Sequence, residues 1–170
     1  MGLPMSDAST APATVRATEA RSGLDARFRL LDDKAPANAL FLRRLLREER
    51  AIEGIHAMWT GPEISCPVPT PMIPPDAASA LPPENATIHP QPGDLVLAYV
   101  PPRVWGGAPD QVFDIGIFYG PGARLLFPIG WLPGSVVARA GQSDLVALAR
   151  ACAAIRRAGA CTIRFTLEPA

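Results

Sequence analysis

The sequence predicts an α+β protein that is mainly β, built as a barrel or strongly coiled sheet with two helices capping it. Six to eight short segments have the alternating or continuously apolar character of strands, and turn residues separate them. Two longer segments have helical periodicity, one after the opening strands and one before the last strand. The 170 residues suffice for one full core. We therefore expect a single domain over residues 12–170, preceded by a disordered tail at residues 1–11.

The chain begins with a predicted hairpin and helix. Residues 12–19 and 24–31 alternate apolar and polar side chains on either side of a turn that ends at Gly23. A helix is predicted over residues 37–50, because acidic residues and Pro36 precede a segment with one apolar face.

Residues 61–92 are rich in proline, which donates no hydrogen bond to a β-ladder. Short strands are predicted at residues 56–60 and 63–65, and the remainder is expected to be an ordered loop. Apolar residues that would anchor this loop to the barrel are Ile64, Val68, Met72, Ile73, Leu81 and Ile88.

The C-terminal half has the clearest strand pattern. Residues 94–100, 112–119 and 135–140 are short apolar segments bounded by turn residues. An amphipathic helix over residues 144–158 precedes a final strand at residues 161–168.

Composition and charge exclude several classes of protein. Sixteen basic and sixteen acidic residues leave no net charge, so binding to nucleic acid is not expected. No apolar segment has the roughly 20 residues that cross a bilayer, so no membrane partner is expected. The first residues lack the basic and apolar regions of a secretory signal, which predicts a cytoplasmic protein. Three cysteines without CxxC spacing favour neither disulfides nor structural zinc.

Several short motifs resemble known families. Residues 33–39, with a D-K-x-P pattern between two strands and a helix, resemble the opening of cyclophilin-type proteins. Later segments are similar to the DUF3830 family, a bacterial group of unknown function with a cyclophilin-like fold. These segments are residues 56–64, 83–87, 92–94, 115–120 and 130–134. The resemblance implies a closed, cyclophilin-like barrel of about eight strands capped by two helices, and it implies no established activity.

Peptidyl-prolyl isomerase activity is not favoured by the same comparison. Catalysis of prolyl rotation depends on a cation or strong donor near the prolyl nitrogen. Residues 51–102 contain no lysine or arginine, so the expected strands lack that donor.

His56, Glu63 and Glu84 are the candidate catalytic residues, because histidine and carboxylates act as general acids and bases when burial brings their pKa values near neutrality. Structural explanations stay open, since His56 fits a buried hydrogen-bonding residue and the carboxylates fit caps of loop backbone. Candidate substrate-binding residues are Trp59, Thr60, Asn85, Thr87, Tyr119 and Trp131.

No cofactor or metal is expected. The chain has neither a GxGxxG segment nor a P-loop. The spacing of His56 and His89 matches no metal-ligand motif.

The residues taken together favour a small-molecule enzyme that hydrolyses or isomerises a small amide, imide or lactone. The alternative is a module that binds a small-molecule ligand without chemistry, or one that self-associates. Near-zero net charge and many apolar residues also predict a homodimer or higher homo-oligomer.

Overall fold

Eight antiparallel strands close into a barrel in the structure, a computed structural model that describes residues 13–75 and 81–169. The predicted tail at residues 1–11 lies outside these ranges. In chain order the elements are β1 (Ala13–Glu19), β2 (Leu24–Leu30), α1 (Pro36–Leu45), β3 (Arg50–His56), β4 (Glu63–Pro67), β5 (Ala86–Thr87), β6 (Asp94–Val100), β7 (Val112–Phe118), β8 (Leu126–Phe127), β9 (Gly130–Trp131), β10 (Gly134–Ala140), α2 (Leu145–Ala158) and β11 (Cys161–Pro169).

The order of strands around the barrel is β2-β1-β11-β3-β4-β7-β6-β10, and β10 pairs again with β2 to close it. The short strand β5 adds to β10, and β8 and β9 form a separate two-stranded hairpin. The predicted mainly β barrel with two helices is therefore confirmed.

Alternate residues of each barrel strand point into a core that both helices also enter. Phe41 of α1 stacks on Phe113 of β7 with 4.7 Å between the ring centroids. Leu148, Cys152 and Ile155 of α2 are buried in the same core. Some strand residues that face away from this core are also buried, and they belong to a second apolar layer.

That second layer lies on the outer face of the barrel. Its buried residues are Leu31, Val96, Phe118, Ala123, Leu125 and Val136, with Phe127 packed against them. The chain between β7 and β10 supplies Ala123, Leu125 and Phe127, so this segment covers part of the sheet.

The predicted helix over residues 37–50 is too long. Helix α1 ends at Leu45, and Arg50 already begins β3. Ile52 and Gly54 alternate inward on β3, and a Cβ at Gly54 would lie 3.0 Å from Ile163 Cδ1 on the neighbouring strand. Residues 50–54 therefore pair with β11 as a strand, and the absence of a side chain at Gly54 allows the close contact with Ile163.

The predicted strand at residues 56–60 is also wrong, because β3 ends at His56 and a loop follows. In contrast, five of the six predicted anchors of the proline-rich span pack into or against the barrel core, whereas Ile88 is half-buried and belongs to neither layer. Ile64 and Val68 are buried in the core, and Met72, Ile73 and Leu81 pack against it. Residues 76–80 lie outside the described ranges. Within those ranges, neither helix combines the length and apolar character needed to cross a membrane.

Asp94 at the start of β6 links this strand to β10, one of the two strands that close the barrel. Its carboxylate is 1% exposed and accepts hydrogen bonds from Arg139 Nε at 2.7 Å and from the Gln91 backbone N–H at 2.8 Å. Replacing Asp94 with alanine leaves both donors without this acceptor, so we expect the free energy of unfolding to fall by about 2 to 3 kcal/mol. Urea denaturation measures the change. The matched control is Asp25→Ala, which removes an exposed pair with Arg16 and should change little. Equal effects of the two substitutions would contradict the assignment.

Candidate functional site

A pocket of about 180 Å³ lies on the outer face of β3, β4, β6 and β7. Glu63, Ser65 and Pro67 of β4 line it, together with Val112 and Asp114 of β7. These residues alternate with the core-facing ones, so the pocket lies outside the barrel interior. Three loops and turns form its walls: the loop after β3, the loop between β6 and β7, and the β8–β9 hairpin. At about 30 Å³ per molecule, the volume corresponds to roughly six waters.

Glu63 forms part of the floor and is only 4% exposed. Its Oε2 accepts a hydrogen bond from the Thr60 hydroxyl, and Thr60 is itself buried. Its Oε1 lies over Gly116 of β7, where a Cβ would overlap it. No hydrogen bond from the described residues reaches Oε1, and none of their buried polar side-chain atoms lacks a partner, so Oε1 is open to the pocket.

Asp114 lies two residues from Gly116 on the same face of β7, roughly 7 Å along the strand. The Ser65 hydroxyl donates to Asp114 Oδ1 at 2.8 Å, and the backbone N–H of Cys66 also donates to this carboxyl. The residue is half-buried and lines the pocket.

The two carboxyls share an environment that opposes ionisation. Burial, reinforced by the charge of Asp114, raises the pKa of Glu63 to about 8, although the Thr60 hydrogen bond acts in the other direction. Burial likewise raises the pKa of Asp114 to about 6, and the Ser65 and Cys66 hydrogen bonds limit the rise. Near neutral pH the pair therefore holds about one proton.

Aromatic rings form part of the wall of the same pocket. Trp59 contacts Trp105 edge to face with 5.5 Å between centroids, and Trp105 contacts Phe127 in the same manner at 5.7 Å. All three residues line the pocket, and Trp59 is 42% exposed at its mouth. Among the described residues that line it, none is a lysine or arginine.

His56 lies at the edge of this pocket, but its ring is directed elsewhere. Ile55 faces the pocket, whereas His56 pairs with the core-facing Ile64 on β4. The ring Nδ1 lies 3.0 Å from the Ala57 carbonyl oxygen, and Nε2 lies 2.7 Å from the Tyr119 hydroxyl. Because a carbonyl only accepts, Nδ1 carries the proton and Tyr119 donates to Nε2. Burial lowers the pKa of His56, which favours this neutral form.

Glu84 lies away from the pocket, at the start of α1. Its carboxylate accepts hydrogen bonds from the backbone N–H groups of Ala37 and Asn38, at 3.2 and 3.0 Å, and from Asn38 Nδ2 at 2.8 Å. Partial burial would raise the pKa of Glu84, but these hydrogen bonds outweigh it and lower the pKa. Glu84 thus caps the helix and, unlike the other candidate catalytic residues His56 and Glu63, is not among the described residues that line the pocket.

The predicted substrate-binding residues divide between the pocket and other surfaces. Trp59 and Thr60 line the pocket, whereas Tyr119 is engaged with His56. The Asn85 amide donates to the Val136 carbonyl, and the Thr87 hydroxyl accepts from the His89 N–H. Trp131, half exposed, contacts the His89 ring. These last three residues are not among the described residues that line the pocket.

The sequence interpretation missed Asp114, Ser65 and Phe127 as residues of the site. Asp114 is partly buried in the folded protein, where it lines the pocket. A signal was present, because Asp114 and Gly116 share one face of an otherwise apolar strand, as Glu63 and Ser65 do on β4. Across residues 13–75 and 81–169, no three His, Cys, Asp or Glu side chains come together as metal ligands.

The buried Glu63 should make the fold less stable at alkaline pH. The folded protein holds this proton up to about pH 8, while the unfolded chain releases it near 4.5. The folded state therefore binds more protons between these values, and the free energy of unfolding falls as pH rises through them. We expect Glu63→Gln to remove this loss, so that the variant melts above the parent at pH 8 and near it at pH 5. Thermal melts across pH measure this, with the exposed Glu53→Gln as control. Parallel melting curves for parent and Glu63→Gln would contradict the prediction.

Glu84 should show the opposite dependence, since its pKa is lowered from 4.5 in the folded protein. The stability that it contributes is present above pH 4.5 and is lost as pH falls. Replacing it with alanine removes the cap of α1 and should lower the free energy of unfolding by about 1 kcal/mol at pH 7. Chemical denaturation at pH 7 and pH 3.5 measures both values. A difference that persists at pH 3.5 would show that the carboxylate is not the stabilising group.

Comparison with known proteins adds a fold relative and a family. A search of curated proteins found no match. Among solved structures, the chain is similar to one described as the structure of McbB in complex with tryptophan, with a TM-score of 0.60 and 15% identity. The match covers 89% of this chain and 44% of that one, so the chain spans less than half of McbB's length, and the likeness concerns the fold alone. The DUF3830 family model, described as a protein of unknown function, matches residues 17–167. The chain therefore belongs to the DUF3830 family.

Proposed function

We propose that the protein is a small-molecule enzyme that catalyses proton transfer in the pocket over Glu63 and Asp114. Its reaction is the isomerisation of a small amide, imide or lactone. This proposal keeps Glu63 as a catalytic residue and assigns the second acid–base role to Asp114. His56 and Glu84 are left as structural residues, because hydrogen bonds within the fold already engage their polar atoms.

The observation that carries the proposal is a pair of carboxyls with raised pKa values on the floor of one small apolar pocket. Perturbed acids in a cleft are typical of catalytic sites, and a pair that holds one proton near pH 7 has both an acid and a base. Ionised Asp114 accepts a proton from the carbon next to the substrate carbonyl, while protonated Glu63 donates to the carbonyl oxygen. In a substrate with a carbon–carbon double bond β,γ to the carbonyl, Asp114 delivers its proton to the γ carbon and the carbonyl oxygen returns its proton to Glu63. The double bond then lies next to the carbonyl, and the pair is restored.

The pocket favours isomerisation over covalent hydrolysis. A covalent route needs an activated nucleophile, and the three cysteines are buried with their pKa values raised by that burial. The Ser65 hydroxyl donates a hydrogen bond to Asp114 Oδ1, and this contact orients the Asp114 carboxyl. Hydrolysis by a bound water would use the same two acids.

The fold comparison supports the proposal only in general terms. McbB is described in complex with tryptophan, which is a small molecule, and its structure resembles this barrel. Binding without chemistry is the second candidate function. The aromatic wall of Trp59, Trp105 and Phe127 favours it, because such a surface holds an apolar ligand whether or not a reaction follows.

Nuclear magnetic resonance of small lactams, cyclic imides and unsaturated lactones incubated with the protein in D2O tests the proposal. An isomerase exchanges deuterium into the carbon next to the carbonyl, whereas hydrolysis opens the ring. We expect Asp114→Asn and Glu63→Gln each to lower the exchange rate by about 100-fold or more, as loss of a general acid or base does. His56→Gln and the exposed Glu53→Gln are the matched controls and should retain the rate. Binding of a compound without exchange or ring opening would favour the second candidate function.

A further inference from the structure

We infer that the ligand of this pocket carries a positively charged nitrogen, as a small ammonium or amidinium compound does. The inference deepens the proposed function, since it names the substrate class of the same pocket. It uses the pocket's charge and shape and does not depend on which reaction follows.

The acidic groups of the pocket are two carboxyls, and the described lining residues supply no lysine or arginine to pair with them. Glu63 and Asp114 line the floor. The hydrogen bonds that reach the two carboxyls come from the hydroxyls of Thr60 and Ser65 and from a backbone N–H. A carboxylate taken out of water is costly unless a charge pairs with it, so a cationic ligand would supply the missing charge.

One acceptor position on the floor is unused. Glu63 is only 4% exposed, yet its Oε1 accepts no hydrogen bond from the described residues. Gly116 leaves this oxygen the space it occupies, since a Cβ there would displace it. Once Glu63 ionises, a ligand N–H that enters the pocket therefore finds an oriented acceptor at the floor.

The aromatic wall suits the same ligand. Trp59, Trp105 and Phe127 meet edge to face, so their ring planes differ in direction around one space. The faces of aromatic rings attract cations, and tryptophan does so most strongly. An anionic ligand would meet both this negative surface and the carboxyls, and would be repelled.

Binding of a cation also changes the proton that the pair holds. The titratable groups facing Glu63 are Asp114 from β7 and, at the pocket edge, His56 from β3; the β6, β6–β7 loop and hairpin residues among the described lining carry no charge. A positive charge beside these carboxyls favours their ionised forms. The pKa of Glu63 therefore falls when the ligand binds, so a fraction of the protein releases this proton and the remainder holds a stronger acid for the substrate carbonyl.

Three probes of one size and different charge test the inference: benzylammonium, benzyl alcohol and benzoate. Isothermal titration calorimetry at pH 7.5 measures their affinities. We expect benzylammonium to bind about tenfold or more tightly than benzyl alcohol, as a cation on aromatic faces and a carboxylate should, and benzoate to bind least. Titrations in two buffers of different ionisation enthalpy should show proton release with benzylammonium only.

Variants locate the preference. Asp114→Asn and Glu63→Gln should each reduce the ratio of benzylammonium to benzyl alcohol affinity, and the double variant should abolish it. Glu53→Gln, an exposed carboxylate on β3 outside the pocket, should leave the ratio unchanged. Thermal melts confirm that each variant is folded. Equal binding of the three probes, tighter binding of benzoate, binding of none at millimolar concentration, or a preference that survives in the double variant would each overturn the inference.

The outcome is separable from that of the proposed function. A cation preference that depends on both carboxyls, found together with unchanged proton exchange in the variants, would support the ligand class and reject the enzyme. Loss of exchange in the variants, found together with tighter binding of benzyl alcohol than of benzylammonium, would support the enzyme and reject the ligand class.

Discussion

β2 and β10 pair over three residues, and this short contact closes the sheet into a barrel. Closure gives every strand one face that must be filled with apolar side chains and one that points outward. On β4 and β7 the inner face takes Ile64, Cys66 and the apolar residues of β7. The polar residues Glu63, Ser65 and Asp114 are consequently placed together on the outside. The site therefore follows from the alternation that closure imposes.

The outer face becomes a pocket because other parts of the chain fold over it. The segment between β7 and β10 packs Ala123, Leu125 and Phe127 onto the outer surface, and the loop between β6 and β7 brings Trp105 to Phe127. This cover excludes water from Glu63 far more than its strand position alone would. Desolvation then raises the pKa of both acids, so the chemistry of the site depends on packing by residues that take no part in it.

Three polar residues of similar appearance in the sequence have different roles for this reason. Glu63 has one oxygen open to the pocket and a raised pKa. Glu84 has its oxygens on the N-terminus of α1, and hydrogen bonds lower its pKa. His56 has both ring nitrogens engaged by Ala57 and Tyr119. Residue type alone made all three of them candidate catalytic residues. The direction of each side chain in the folded protein separates the catalytic candidate from the structural ones.

The pattern of apolar and polar residues by itself determined those strands and helices in which the pattern repeats without interruption. The alternation of β1, β2, β6, β7 and β10, and the amphipathic stripe of α2, identified these elements because side-chain burial follows the period of the backbone. The boundary between α1 and β3 was lost, because a short segment of mixed residues fits both periods and the packing of Gly54 against Ile163 decides between them. Likewise, the sequence identified Glu63 and Thr60 as candidates but did not single out Asp114. Only the tertiary structure sets β4 beside β7 and covers them, since the partners of Glu63 and Asp114 are distant in sequence and desolvation arises from the whole fold.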